Sequence, residues 1–332
     1  MVTTTSSKQS QRFLPTIALQ KKLALVLLIA QGGITVTGSI VRVTGSGLGC
    51  NTWPQCHEGS LVPVQGAAPW IHQAIEFGNR LLTFVLVGFV IALFVTVTKA
   101  HRRKEIRVHS LIQGLGVVVQ AVIGGVSVLL DLKWWAVALH FLPSTLLVWM
   151  AAMLYLRIQE PDDVPSKRSY PSSLRALAVF CGLLLSAVLV TGTMVTGAGP
   201  HSGDKGVGMD GRLQVDLEWI AHVHAYTMYT YLGFLLLLLL SLVLQSAPAR
   251  VRKFGIVLVV VTILQALIGV IQFRMGVPRW TVPVHIGLSS CVVAFCSFVY
   301  TLGIWRVHQT DPTTTTGSLE GDKRYHLVQE SS

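Results

Sequence analysis

Trp219–Tyr229 reads W-I-A-H-V-H-A-Y-T-M-Y and runs on into the apolar segment Leu232–Leu244, so His222 and His224 stand at the head of an otherwise hydrophobic stretch. A run of that length crosses a bilayer as a helix of about 20 residues. An ionisable side chain inside such a span is costly; it faces a bundle interior and either bonds a neighbouring helix or marks a site. The rest of the chain decides between these two.

Of the 332 residues, 52% are hydrophobic and only 12% charged, whereas a soluble domain carries about 25% charged residues. That balance excludes an ordinary soluble domain. Apolar stretches near 22–41, 73–98, 108–130, 135–156, 174–196, 219–244, 254–274 and 282–305 each reach spanning length, and predict an all-α polytopic membrane protein with eight transmembrane helices. The first stretch has no small-residue cleavage site and exceeds a signal-peptide core, so it reads as a retained helix with the mature N-terminus at or near Met1.

Lysine and arginine placement sets the orientation, because cytoplasmic segments retain these residues. Lys8, Arg12, Lys21 and Lys22 precede the first span, Lys99 to Arg107 follow the second, Arg157 to Arg175 the fourth, Arg250 to Lys253 the sixth, and Arg306, Lys323 and Arg324 the eighth. Only Arg42, Arg80, Lys133, Lys205, Arg212, Arg274 and Arg279 fall on the other side. The expectation is a multi-pass protein of the plasma membrane with both termini cytoplasmic. The net charge of +11 then follows from topology and anionic lipid and implies no nucleic acid.

The expected organisation is a cytoplasmic N-terminal tail (1–21), a first four-helix half (22–158), a cytoplasmic linker (159–173), a second four-helix half (174–305) and a disordered cytoplasmic tail (306–332). The halves repeat. Gln120–Gly124 (Q-A-V-I-G) recurs as Gln265–Gly269 (Q-A-L-I-G), 145 residues on, and the same offset takes His140 to His285 and Asn79 to His224. Upstream, V-T-G-S-I-V from Val36 resembles V-T-G-T-M-V from Val190 at an offset of 154. An even number of helices per half makes the repeat parallel, about an axis along the membrane normal, unlike the inverted repeats common in transporters.

The even-numbered helices descend from the outer face, so His140, His224 and His285 lie within about 10 Å of that surface at ~1.5 Å per residue, with Asn79 somewhat deeper. Two histidines at one level of a four-helix bundle can clamp a flat macrocycle, one imidazole on each face of its iron. His224 with His285 makes such a pair in the second half, with two separate structural histidines as the plainer alternative. A zinc site lacks further ligands. His222 is about 200° around the helix from His224 and is left as a neighbour.

In the first half the equivalent pair is Asn79 and His140, one poor and one good iron ligand, which suits substrate turnover more than electron transfer. Glu76 lies on the face of Asn79. It either pairs with Arg80 as a structural ion pair or serves as the catalytic carboxylate, and the sequence leaves both open. Cys50 and Cys56 flank N-T-W-P-Q in the first outer loop, where a disulfide can form, structural or redox-active. Cys181, Cys291 and Cys296 read as small buried hydrophobes. The glycine pairs Gly32–Gly33 and Gly124–Gly125 read as close helix contacts, since no strand precedes them. His57, His72, His101, His109, His201 and His308 read as solvated residues of loops and helix edges.

These residues resemble the heme A synthase family, over nearly all of residues 22–305. The resemblance is carried by Val41–Cys50 (V-R-V-T-G-S-G-L-G-C), Trp53–Cys56 (W-P-Q-C), Ile75–Leu82 (I-E-F-G-N-R-L-L), His140 in A-L-H-F, T-G-A-G-P-H-S-G-D from Thr196, and His224 and His285. It implies heme b as cofactor on His224 and His285, and heme O as substrate near Glu76, Asn79 and His140, one porphyrin methyl being oxidised to a formyl group through hydroxylated intermediates to give heme A for cytochrome oxidase. Cys50 and Cys56 match the family's outer-loop pair. The family commonly has a histidine where this chain has Asn79, and some members carry a second cysteine pair in the third outer loop, where Gly197–Glu218 has none. Expected partners are heme O, heme O synthase, a membrane electron donor and the lipid bilayer, with homo-oligomerisation left open. The competing class is a bis-histidine heme b electron-transfer protein. A repeat-built transporter is disfavoured because no span carries an obvious glycine or proline break at mid-membrane.

Overall fold

Residues 14–201 and 211–307 are described by a computed structural model. Eight helices follow one another: α1 (Ile17–Val43), α2 (Trp70–Lys99), α3 (Lys104–Leu129), α4 (Trp134–Arg157), α5 (Ser172–Ala198), α6 (Leu217–Leu244), α7 (Ala249–Arg274) and α8 (Thr281–Thr301). All eight are long and apolar enough to cross a membrane, as a bilayer requires of backbone that must satisfy its polar groups internally. The chain is a multi-pass membrane protein.

Several helices begin earlier than the apolar runs alone suggest. α3 includes Lys104 and Arg107, and α7 starts at Ala249, because charged side chains at helix ends reach the headgroup region while the backbone stays helical. Thr16 caps α1 by accepting from the Leu19 N–H at 3.2 Å, and Asp216 caps α6 through Trp219 at 2.7 Å. α4 is helical through Pro143.

Helix packing inverts the soluble rule. The buried positions of α1 are Gln20, Ala24, Leu27, Gln31, Thr35, Ser39 and Val43, a stripe rich in small and polar groups, while Ile29, Phe84 and Leu183 face outward. Lipid is as apolar as leucine, so packing and hydrogen bonds choose the interior. Gln31 donates to Gln113 at 3.1 Å, and Gln113 to the Leu147 carbonyl at 3.0 Å.

Each half is a ring. α1 packs on α2, α2 on α3, α3 on α4 and α4 back on α1; α5 to α8 repeat the circuit. α2 therefore stands across its ring from α4, and α6 across from α8. The halves meet along α4 and α8, flanked by α1 on α8 and α5 on α4. At that seam Thr35 and Ser290 share a hydrogen bond of 3.0 Å, and Ser297 donates to the Trp149 carbonyl at 2.8 Å.

The eighth span is shorter than its apolar run to 305. α8 stops at Thr301, and Ile304–Trp305 (β2) pairs antiparallel with Lys167–Arg168 (β1) of the linker. The cause is Tyr170, whose hydroxyl donates to the Val299 carbonyl at 2.9 Å and packs where a side chain at Gly303 would stand. Nearby, the fully buried Glu160 meets Arg157 at 2.5 Å and Arg103 at 2.6 Å, and Arg102 bonds Asp162 at 2.7 Å and Gln20 at 2.8 Å. Through Glu160, Asp162 and Tyr170 the segment after α4 is tied to the start of α3, to α4 and to α8, and Ser172 already belongs to α5. Of the tails expected at 1–21 and 306–332, residues 1–13 and 308–332 lie outside the described residues.

Candidate functional site

The first outer loop is tied to the head of α2. A disulfide joins Cys50 to Cys56, and both cysteines are fully buried. Glu76 accepts from the Cys50 N–H at 2.7 Å through one carboxylate oxygen and from Arg80 at 2.5 Å through the other. Arg80 spends its remaining donors on the carbonyls of Cys50, Thr52 and Gln55, each at 3.0 Å. One turn earlier, Gln73 holds Val64 and Ala68 through backbone bonds and takes His57 at 2.9 Å. Gly49 lies so close to α2 that a Cβ there would come within 2.5 Å of the His72 carbonyl.

Two histidines read from sequence as solvated are therefore anchored: His57 is buried between Asn51 and Gln73, and His72 bonds the Gly45 carbonyl at 2.9 Å. The reason is that α2 starts at Trp70 and turns these first residues under the loop. His109 is also buried, on α3.

In the second half, His224 extends from α6 and His285 from α8, helices that stand across the ring from one another. Each ring lies on a glycine of the neighbouring helix: Gly192 of α5 for His224 and Gly269 of α7 for His285, where a Cβ would meet the ring carbon at 3.2 Å in both cases. Thr191 Oγ1 lies 3.0 Å from the carbonyls of Ala187 and Val188 and 3.0 Å from His224 Nδ1. With its one proton given to a carbonyl, the hydroxyl accepts from Nδ1–H, the tautomer in which Nε2 carries the lone pair that a metal ligand needs. His285 Nδ1 is buried without a partner among the described residues.

The first half repeats this framework with one change. His140 lies on Gly124, the counterpart of Gly269, and its Nδ1 is likewise buried and unpaired. Thr37, the counterpart of Thr191, donates at 2.7 Å to Asn79 Oδ1 instead of receiving from a ring. Beside Gly124, Gly125 carries the indole of Trp53 so closely that a Cβ would fall 2.2 Å from it. The outer loop thus reaches α3 next to the residue that supports His140.

His222 points elsewhere: its Nδ1 meets the Glu218 carbonyl at 2.7 Å and its ring stacks edge-on with Phe273. Sequence reasoning did not single out Thr37, Thr191, Gly192 or Trp53, although the first three stand inside the V-T-G repeats that set the 154-residue offset. Among the described residues no three His, Cys, Asp or Glu side chains converge as a metal cage. His224 and His285, on facing helices and each backed by a glycine, could instead each offer an imidazole to one face of a flat iron macrocycle.

A sequence profile of the family described as cytochrome oxidase assembly protein matches residues 21–297. The chain is 25% identical to the heme A synthase of Listeria welshimeri over 291 residues, covering 83% of this chain and 92% of that one. It is 33% identical over 150 residues to the heme A synthase of Lysinibacillus sphaericus, 45% of each chain. Over 128 residues it is 28% identical to that of Geobacillus kaustophilus, 38% of this chain and 39% of the relative.

Proposed function

From the premise that this chain belongs to the cytochrome oxidase assembly family matched by its residues 21–297, we propose that it is a heme A synthase, oxidising a porphyrin methyl of heme O to the formyl group of heme A. The observation that carries the reading is the repeated ligand framework: His224 and His285 complete in one half, His140 with Asn79 incomplete in the other. We assign heme b to His224 and His285 and heme O to the half holding His140, Asn79 and Glu76. Held by His224 and His285, such a cofactor would supply one-electron redox chemistry.

The chain's own groups set what surrounds it. Thr191 pairs with His224 through Nδ1 and so orients its ring. Glu76 is assigned the catalytic role, and both of its oxygens accept hydrogen bonds, so in this geometry it takes up a proton or steadies developing positive charge instead of donating. The Arg80 pair, read from sequence as a rival to that role, is formed; it holds the carboxylate at a fixed place under the disulfide loop. Thr52, Gln55 and Cys50 carbonyls absorb the rest of the guanidinium, so Arg80 is anchored independently of Glu76.

The same proposal includes the finer organisation: halves related by an axis along the membrane normal, which the matched seams α1 on α8 and α5 on α4 support, a junction at 159–173, and a plasma-membrane location with cytoplasmic termini, supported by the lysine and arginine bias. Heme O synthase and a membrane electron donor are the proposed partners. A Glu76→Ala protein, expressed with a heme O source, is expected to keep heme b and yield no heme A by pigment extraction and mass spectrometry. Undiminished heme A would remove Glu76 from the chemistry, and a wild-type chain that binds heme b without ever producing a formyl-bearing heme would favour the electron-transfer class.

A further inference from the structure

We propose that Asn79 is not an iron ligand but the hydrogen-bond donor of an exchangeable-ligand site, taking a small anion or diatomic molecule on the face of the first-half heme opposite His140. This rests on the reading that the first half binds its heme through His140.

The repeat supplies the comparison. Asn79 corresponds to His224, Thr37 to Thr191 and Gly38 to Gly192. In the second half the His224 ring fills the space against Gly192, 3.2 Å from where a Cβ would stand. In the first half nothing lies within 4 Å of the same point on Gly38. The shorter amide therefore leaves open the room that an imaginary histidine would take.

The hydrogen bonds differ. Thr191 meets a ring nitrogen of His224 at 3.0 Å, whereas Thr37 donates to Asn79 Oδ1 at 2.7 Å. Occupied there, the carboxamide presents Nδ2, a group with two N–H donors and no lone pair to offer a metal. No acceptor meets Nδ2 among the described residues, and Asn79 is only half-buried. A donor beside an open coordination position selects ligands that carry a lone pair or negative charge, and polarity and access on that face decide whether a heme binds small molecules.

Cyanide titration of the purified full-length ferric protein tests this, with pyridine hemochrome analysis giving heme content in each variant. Wild type is expected to carry two hemes and bind about one cyanide per chain. Asn79→Leu should keep the heme content but bind cyanide about tenfold more weakly, the scale of one hydrogen bond to an anion. Asn79→His should keep the heme content, lose cyanide binding and lose the high-spin absorbance of the first-half heme. Two hemes with no cyanide bound in wild type would overturn the open site while sparing the assignment of His140. Equal affinities in wild type and Asn79→Leu would overturn the donor role. Heme content unchanged in His140→Ala would instead overturn the reading on which the proposal depends.

Discussion

Arg80 is the residue whose removal should be felt most sharply outside the heme sites. Its guanidinium closes the Cys50–Cys56 loop with three carbonyl bonds of 3.0 Å and one carboxylate bond of 2.5 Å to Glu76. The two side chains are 19% and 6% exposed. Replacing Arg80 by methionine leaves Glu76 with the Cys50 N–H alone and strands three loop carbonyls. Breaking a buried pair costs about 3–5 kcal/mol, and the partial exposure of Arg80 puts this one near ~3 kcal/mol. If the loop opens locally before reductant can reach the buried disulfide, its open population rises about a hundredfold, at ~1.4 kcal/mol per decade. The assay is reduction of the purified protein by a water-soluble phosphine, with maleimide labelling followed by mass. Cys291 faces lipid in the middle of α8, and Cys181 and Cys296 are buried, so the signal that appears only after reduction belongs to Cys50 and Cys56. Glu76→Gln, which keeps the carbonyl bonds of Arg80, should accelerate reduction by about tenfold only. Reduction of Arg80→Met at the wild-type rate would refute the claim that these bonds close the loop.

Gly125→Ala drives a Cβ to within 2.2 Å of the Trp53 indole; overpacking of this kind costs about 1–3 kcal/mol, and a melting temperature and tryptophan emission equal to wild type would contradict it. Gly269→Ala brings a Cβ to 3.2 Å from the His285 ring, so heme b content by pyridine hemochrome should fall while the protein still folds; full content would show that the ring has room to give. At the junction, burial pushes the Asp162 carboxyl up, but the hydrogen bond and charge of Arg102, with Arg103, outweigh it and hold the group below its usual 3.8. Such a depressed group stabilises the folded protein above its unfolded value and loses that contribution as pH falls through the folded one. Asp162→Asn should therefore flatten the acid side of the melting profile below about pH 4, and an unchanged profile would assign the acid loss to other groups.

The spans were legible because each is a long apolar run, but that uniformity hid which face turns inward. Hydropathy ranks Ile29 far above Thr35 and Ser39, yet the two polar residues are buried and Ile29 is exposed. His224 and His285 emerged from a constant offset, and the same offsets held Thr191 and Gly269 in plain view without assigning them a task. Arg80 could be paired with Glu76 from an i,i+4 spacing, whereas its three carbonyl bonds depend on a loop path that no local pattern encodes. Ile304–Trp305 was absorbed into the eighth span because its side chains are apolar. Only Tyr170, more than a hundred residues away in sequence, explains why the helix stops first.

α8 is the most buried of the eight spans, and it packs on α1 and α4 as well as on its own half. Its contacts with the first half run through Gly287 against Val36, Ser290 with Thr35, and Ser297 with Trp149. During synthesis the first four helices emerge well before α8, and until it arrives their seam faces lipid with the Thr35 hydroxyl unmatched across it. The outer seam of the first ring is therefore covered only when α8, the helix bearing His285, inserts. Biosynthetic order thus leaves a closed four-helix ring with a polar seam turned to lipid until the last span is in the membrane.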